Sequence, residues 1–164
     1  MSYPLILGEF SRTLDDRFRL SVPAEVAELL LAAGPQHSSP QCILAKQQPG
    51  CLSLWPATHW QQKIDAGVAL VEGKLKAGKL QNQLEDVQTL GRLLSTRHRP
   101  VQLAGRGRLS IPEGFREFLQ VEPGTDAMVV GAGLCVEIWK PAAWLAHLES
   151  RIPDFGRLLD QLAG

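Results

Sequence analysis

The sequence has few cysteines, no long apolar run and no excess of charge of either sign. Cys42, Cys51 and Cys135 are its only cysteines. Their odd number, and the lack of C-x-x-C spacing, argue against a disulfide framework and against a cysteine-rich zinc site. No apolar stretch approaches the ~20 residues that span a bilayer, and the first residues lack the basic segment of a signal peptide. We therefore expect a cytoplasmic protein in a reducing compartment, with no membrane partner.

The charge balance excludes a uniformly basic surface that would coat nucleic acid without specificity. Lys plus Arg and Asp plus Glu both number 17, so the formal net charge is zero. Residues 91–112, however, contain five arginines and no acid, which leaves 12 basic and 17 acidic residues elsewhere, a net of −5. This distribution permits one local basic patch.

An internal repeat organises the chain. LDDRFRLSVP at 14–23 matches LAGRGRLSIP at 103–112 at six of ten positions, with an offset of 89. CLSLWPATHW at 51–60 matches CVEIWKPAAW at 135–144, with an offset of 84. Two pairs of matching segments in the same order indicate two copies of one unit of about 55 residues. The shorter second offset is explained by a long loop at 34–41 in the first copy.

Each copy has the pattern strand–strand–helix–strand–strand. We predict a first unit at 5–60, a helical connector at 61–99, a second unit at 100–149 and a C-terminal tail at 150–164. The fold class is α+β with a mainly β core. A unit with four short strands and one helix does not easily close its own core. We therefore expect the two units to pair about a pseudo-twofold axis and to share one closed β-barrel, with the helices on its flanks.

Several local signals set the expected element limits. PVQL at 100–103 predicts the first strand of the second unit, and EGFREFLQV at 113–121 predicts its helix. Gly34 is expected to cap the first helix, whose apolar stripe includes Val26, Leu29, Leu30 and Ala33. Gly73 and Gly78 predict a break of the connector into two helices. The tail from 153 predicts one more short helix.

Paired arginines in the two copies are the strongest functional signal. Arg17 matches Arg106, and Arg19 matches Arg108. In each copy, the two arginines lie in the basic turn that leads into a predicted strand. A twofold arrangement would present both pairs on one face, as proteins that read duplex DNA do. Arginine suits phosphate and the guanine edge. The alternative is a pair of solvated hairpin turns whose arginines serve solubility.

The remaining chemistry-bearing residues favour packing over catalysis. The four histidines lack metal-ligand spacing, so we expect no metal site and interpret them as solvent-exposed. The cysteines at 51 and 135 are expected to be small buried side chains, and the tryptophans at 55, 60, 139 and 144 to be packing anchors. Asp15 and Asp16 have no counterpart in the second copy, which excludes a shared catalytic pair. No acid–base–nucleophile group is present, so we expect no enzymatic activity and no cofactor.

These motifs resemble those of the MraZ family, bacterial transcriptional regulators with two tandem SpoVT-AbrB-type domains. The opening ILGEF, followed by TLD, RLSVP, RLSIP and the two tryptophan motifs, carries the resemblance over residues 5–149. Phe18 stands where the family usually has glycine, and Ala104 where it usually has aspartate. In the first copy, Asp15 is four residues before Arg19 and is expected to orient its guanidinium by a bidentate pair.

The resemblance implies a swapped-hairpin barrel, ring-like homo-oligomers, and binding to short repeats upstream of the division and cell-wall operon. We therefore predict a nucleoid-associated regulator whose partners are double-stranded DNA and further copies of itself. The expected DNA contacts are Arg17, Arg19, Arg106 and Arg108, with Arg12, Arg97 and Arg99 as peripheral phosphate contacts. The alternative is an oligomeric scaffold or protein-binding module, such as an antitoxin that masks a toxin, with weakened DNA binding.

Overall fold

The computed structural model describes residues 4–32 and 41–164, and within them the chain is a mixed α/β protein. The strands are β1 (Ile6–Thr13), β2 (Arg19–Ser21), β3 (Cys42–Gln48), β4 (Cys51–Pro56), β5 (His98–Val101), β6 (Arg108–Ser110), β7 (Asp126–Gly133) and β8 (Val136–Trp139). The α-helices are α1 (Ala24–Ala32), α2 (Ala57–Lys76), α3 (Leu84–Thr96), α4 (Arg116–Leu119), α5 (Pro141–Arg151) and α6 (Phe155–Ala163). The expected cap at Gly34, the end of the apolar stripe at Ala33 and most of the 34–41 loop lie outside the described residues.

Six strands form one antiparallel sheet, and the other two form a separate ribbon. The order in the sheet is β1-β7-β8-β4-β3-β5, and β2 pairs only with β6 among the described strands. The outer strands β1 and β5 are not paired with each other in the part of the chain that the structure describes. The sheet is therefore open there, and the closed barrel that the sequence predicts is not seen.

Strand pairing joins the two halves of the chain with symmetric registers. In the ribbon, Leu20 lies opposite Leu109, the position 89 residues later. In the sheet, Ser53 of β4 lies opposite Glu137 of β8, the position 84 residues later. Exchanging the two halves leaves both registers unchanged, because in each ladder a residue lies directly opposite its own equivalent in the other half. Both offsets are those of the sequence repeat.

The core lies between the sheet, the ribbon and the two short helices α1 and α4. Leu20 and Leu109 point into it from the ribbon and are 1% and 0% exposed. Burial of an aliphatic side chain stabilises a fold by about 1.5–3 kcal/mol, so these two leucines tie the ribbon firmly to the sheet. The same core includes side chains from both helices and from β3, β4, β7 and β8: Val26, Leu30, Leu44, Leu54, Leu119, Val129 and Ile138.

The tryptophans are packing anchors, as predicted. Trp55 and Trp60 have ring centroids 5.7 Å apart, and the equivalent pair Trp139 and Trp144 has centroids 5.5 Å apart. Each pair links the last strand of a unit to the helix that follows it.

The expectation of exposed histidines is wrong for two of them. The ring centroids of His98 and Trp60 are 5.6 Å apart, and those of His147 and Trp139 are 4.9 Å apart. Both histidines are half-buried, because an imidazole ring packs well against an indole ring. His59 is exposed, and the histidine at 37 lies outside the described residues.

All three cysteines are buried and free, and this confirms the interpretation of the cysteines at 51 and 135 as small buried side chains. Burial raises the pKa of the Cys42 and Cys135 thiols to about 12, and the Glu137 carboxylate adds to the effect at Cys135. Burial also raises the pKa of Cys51 well above its usual value. The thiolate is the reactive form of cysteine, so these side chains act as small apolar residues.

Three local predictions need correction. The strand expected at 100–103 lies at His98–Val101, because its pairing with β3 runs from His98 to Val101 and Pro100 fits an edge strand. The helix expected at 113–121 is reduced to Arg116–Leu119, because Gly114 and Gln120 take left-handed backbone angles at its two sides. The connector breaks near Gly78 but not at Gly73, which lies inside α2. The predicted tail helix is present as α6.

Candidate nucleic-acid interface

The β2–β6 ribbon presents one polar face to solvent. Leu20 and Leu109 point into the core, and side chains alternate between the two faces of a strand. Arg19, Ser21, Arg108 and Ser110 therefore share the opposite face. Arg19 is paired with Ser110, and Arg108 with Ser21. The exposed face is thus an Arg–Ser pattern that repeats after exchange of the two strands.

Arg19 and Arg108 are diagonal neighbours on this face. Diagonal neighbours in an antiparallel pair have side-chain origins about 7–8 Å apart, so two guanidinium groups can act on one ligand. Arg108 is exposed and Arg19 is half-exposed. The structure thus brings together these two of the four arginines that the sequence pairs. Arg17 and Arg106 lie two residues before them, in the turns that lead into the strands.

The first turn, residues 15–19, is organised by one carboxylate. Asp15 Oδ1 accepts hydrogen bonds from the backbone N–H groups of Arg17, at 2.9 Å, and Arg19, at 2.8 Å. Asp15 Oδ2 accepts one from Nε of Arg19 at 2.9 Å. The Arg19 backbone N–H is the largest cause that lowers the pKa of Asp15; the Arg17 N–H and the Arg19 guanidinium act the same way, against a partial desolvation. Asp15 therefore stays ionised and holds the Arg19 side chain through one edge, which leaves its terminal nitrogens for a ligand.

The second turn, residues 104–108, closes without a carboxylate. Ala104 and Arg108 exchange two backbone hydrogen bonds, at 2.9 Å and 2.8 Å. Arg106 and Arg108 are exposed, and their side chains make no hydrogen bond or ion pair with any other residue that the structure describes. Gly105 and Gly107 both take positive φ angles, 46° and 83°. The two guanidinium groups of this turn are therefore free to follow a ligand.

Charge differs between the two turns. The first turn combines Arg17 and Arg19 with two aspartates, so its formal charge is zero. The second turn carries Arg106 and Arg108 and no acid, so its formal charge is +2. A pre-organised arginine suits directional hydrogen bonding, whereas mobile arginines without an acid suit attraction to phosphates. The arrangement thus provides two different kinds of basic side chain on one surface.

The three peripheral arginines of the sequence prediction are dispersed. Arg12 lies on β1, with its guanidinium donating to the Ser11 carbonyl and 5.7 Å from the Phe10 ring. Arg99 is exposed on β5, with its guanidinium 5.8 Å from the Phe115 ring.

Arg97 lies at the end of β5 that is remote from the second turn. Its guanidinium donates to the carbonyls of Lys46 and Gln47. The strand between Arg97 and the start of that turn is more than about 13 Å long, at ~3.3 Å per residue. A phosphate contact by this arginine, and by the other two peripheral ones, stays a prediction.

Sequence reasoning missed two residues of this surface and one residue that lies beside it. Ser21 and Ser110 share the exposed face with the arginines, and the R-x-S spacing in RLSVP and RLSIP already contained this signal. Arg116 was also missed. Its guanidinium lies 4.3 Å from the Phe18 ring centre, and no local pattern connects two residues that are 98 positions apart.

An acid-lined groove marks the border of the basic surface. It has a volume of about 710 Å³ and begins at Phe18 and Arg116. Its wall includes Glu113, Glu117 and Glu122. Its wall also includes Lys140, so with Arg116 the groove has a formal charge of −1 and attracts phosphate less than the ribbon does. Among the described residues, no group of three or more His, Cys, Asp or Glu is placed to hold a metal ion, and no helix has the length and apolarity to cross a membrane.

Comparison with known proteins agrees with the motif resemblance. A family profile described as "MraZ protein, putative antitoxin-like" matches residues 98–154. A protein of Thermomicrobium roseum named "Transcriptional regulator MraZ" is 28% identical over 97% of this chain and 98% of its own length. Proteins with the same name from Heliobacterium modesticaldum and Shewanella amazonensis are 27% and 29% identical, over 96% and 87% of this chain and 96% and 84% of their own lengths. With both repeat motifs present and the alignments spanning nearly the whole chain, this protein is similar to MraZ proteins over almost its full length.

Proposed function

We propose that this protein is a sequence-specific, DNA-binding transcriptional regulator of the MraZ type, with no catalytic role. One observation carries the proposal: the ribbon exposes Arg19 and Arg108 as symmetric neighbours on a face whose other side is anchored in the core. The names of the relatives support the same class of function. The major groove of B-DNA is wide enough to admit a two-stranded β-ribbon, so the outward arginines of the ribbon can reach base edges and phosphates there.

The division between the two turns fits the two tasks of DNA recognition. Phosphate contacts supply affinity and position, and contacts to base edges supply sequence preference. Arg19, held by Asp15, is the candidate for a base edge. Arg106 and Arg108, with no acid beside them, are the candidates for phosphates. The serines at 21 and 110 add hydroxyl donors to either.

We propose that the DNA target is a set of short repeats upstream of the division and cell-wall operon, and that the protein works in the cytoplasm at the nucleoid. We also propose that the two units at 5–60 and 100–149 are related by a pseudo-twofold axis in a swapped-hairpin arrangement. The symmetric registers of the ribbon and of the β4–β8 ladder support this relation.

Self-association into a ring-like homo-oligomer is part of the same proposal. The apolar face of α6 is exposed, with Phe155 70% and Leu162 83% accessible, and Leu5 lies beside it. Several leucines of α3 are exposed as well. Light scattering at micromolar concentration is expected to give a closed oligomer, because burial of these side chains is favourable. A monodisperse monomer would contradict this part of the proposal and leave the DNA interface untouched.

The function itself is tested by binding to DNA across a salt series. We expect the protein to bind a duplex from the region upstream of its own gene more tightly than a scrambled duplex of equal composition. Arg106→Ala should weaken both duplexes by a similar factor and reduce the slope of log affinity against log salt by about 0.9, the value for one lost phosphate contact. The control is Arg92→Ala, which removes an exposed arginine of α3.

Two outcomes would count against the proposal. Equal binding of the two duplexes would remove sequence specificity. No binding of either would favour the alternative of a scaffold or antitoxin-like module.

A further inference from the structure

The first turn contains a backbone conformation that its residue type does not favour. Phe18 has a φ of 57°, in the left-handed region that bulky residues rarely adopt. The equivalent residue of the second turn is Gly107, with a φ of 83°, which adopts this region without cost from a side chain. Surrounding contacts must therefore hold Phe18 in place.

The two turns pack against opposite partners. Gly107 faces α1, where an added Cβ would lie 2.7 Å from the Val22 carbonyl oxygen and 3.4 Å from the Ala27 side chain. Phe18 faces α4, where Arg116 occupies the position equivalent to Ala27, 89 residues later. One turn thus combines glycine with alanine, and the other combines phenylalanine with arginine.

The guanidinium of Arg116 is fixed on both sides. Its carbon lies 4.3 Å from the centre of the Phe18 ring, within the range of a cation–π contact. Its Nε donates to the Ile111 carbonyl at 2.8 Å. The Ile111 backbone N–H in turn donates to the Phe18 carbonyl at 2.9 Å. Phe18 is therefore held by ring and backbone together, directly between Arg17 and Arg19.

We propose that Arg116 is a positioning residue for DNA recognition: its contact with the Phe18 ring locks the first turn and sets the direction of Arg17 and Arg19. This inference rests on the proposed function, because the direction of these arginines matters only if they read DNA. Arg116 itself borders the acid-lined groove and does not lie on the exposed face of the ribbon. The second turn has no such contact, so its arginines keep their freedom.

A first experiment tests the contact without DNA. Hydrogen exchange is measured at the Arg17 and Arg19 amides, which donate to Asp15, in the wild type and in Arg116→Met, which keeps the aliphatic stem. We expect exchange at these amides to become at least about tenfold faster, with no change at the Arg108 amide of the second turn. Phe18→Leu should give the same result, Phe18→Tyr should behave as the wild type, and Arg116→Met added to Phe18→Leu should have no further effect. Unchanged exchange, or additive effects of the two variants, would overturn the proposal.

A second experiment tests the consequence for recognition. The wild type selects a duplex from a random library, and affinities are measured for this duplex and for a scrambled one. Arg116→Met is expected to reduce the ratio of the two affinities about tenfold, whereas Arg92→Met, with the same change of charge, should leave the ratio unchanged. An equal loss on both duplexes would show that Arg116 contributes charge alone and would overturn the positioning role. If the wild type selects no duplex, the proposed function fails, while the exchange experiment still decides whether the contact locks the turn.

Discussion

Replacing Arg19 with alanine is expected to remove most of the sequence preference, and replacing Arg108 to weaken binding to all DNA. An arginine on a base edge contributes about 1–3 kcal/mol of discrimination, so Arg19→Ala should cost roughly 5- to 150-fold on the specific duplex and much less on a scrambled one. Arg108→Ala should reduce affinity for both duplexes and reduce the salt slope by about 0.9. The double variant should bind neither duplex well and should not distinguish them.

Fluorescence anisotropy with the specific and scrambled duplexes, over a series of salt concentrations, measures both effects. Arg92→Ala is again the matched control, and circular dichroism shows whether the variants keep the fold. The ribbon is anchored by Leu20 and Leu109, so loss of the outward arginines should leave thermal stability nearly unchanged. Specific binding that survives the double variant would place the DNA contacts elsewhere on the molecule.

The second large effect is expected from Gly107→Ala. The new Cβ would lie 2.7 Å from the backbone oxygen of Val22, and the backbone would still have to keep its φ of 83°. Overpacking costs about 1–3 kcal/mol, and a left-handed backbone costs a residue with a Cβ about 1–2 kcal/mol more. We therefore expect the free energy of unfolding to fall by about 2–5 kcal/mol, because neither the Val22 backbone nor the turn can move without breaking the ribbon.

Gly105→Ala provides the matched control two residues earlier in the same turn. Its φ is also positive, 46°, but among the described residues no atom beyond its two chain neighbours lies within 4 Å of the position of its added Cβ. This variant should lose only the conformational part, about 1–2 kcal/mol. Urea unfolding of both variants measures the difference. Equal decreases in the free energy of unfolding would show that the second turn does not pack closely against the Val22 carbonyl.

The sequence was informative wherever both copies of the repeat repeated a signal. The match of RLSVP to RLSIP predicted two strands with arginines at their start, and both are present as β2 and β6. The paired tryptophans predicted a contact between strand and helix in each half, and both contacts exist. Asp15 was expected to orient Arg19, and it does so through Nε, with its second oxygen on backbone N–H groups instead of a fork on the guanidinium.

The rest depended on contacts between distant segments. Nothing local shows that β2 pairs with β6, since the partners are 89 residues apart. The shortened α4 depends on left-handed angles at Gly114 and Gln120, and glutamine rarely signals such an angle. In the sequence, Arg116 is indistinguishable from an ordinary helix residue, and only the fold places it against Phe18. The open sheet differs from the expected barrel because strand signals give the number of strands and not their closure.

The outer face of the ribbon is expected to lie on DNA, and cleavage from a tethered reagent reports this contact. The native cysteines are buried, so Ser21→Cys and Ser110→Cys each offer one accessible thiol for an iron chelate that cleaves nearby DNA. Ser150→Cys, on the exposed part of α5, is the control. We expect Ser21→Cys and Ser110→Cys to cut both strands within the bound site, at positions related by the ribbon's symmetry, and Ser150→Cys not to cut there. Cleavage within the site from Ser150→Cys alone would show that DNA lies against α5 and not against the ribbon.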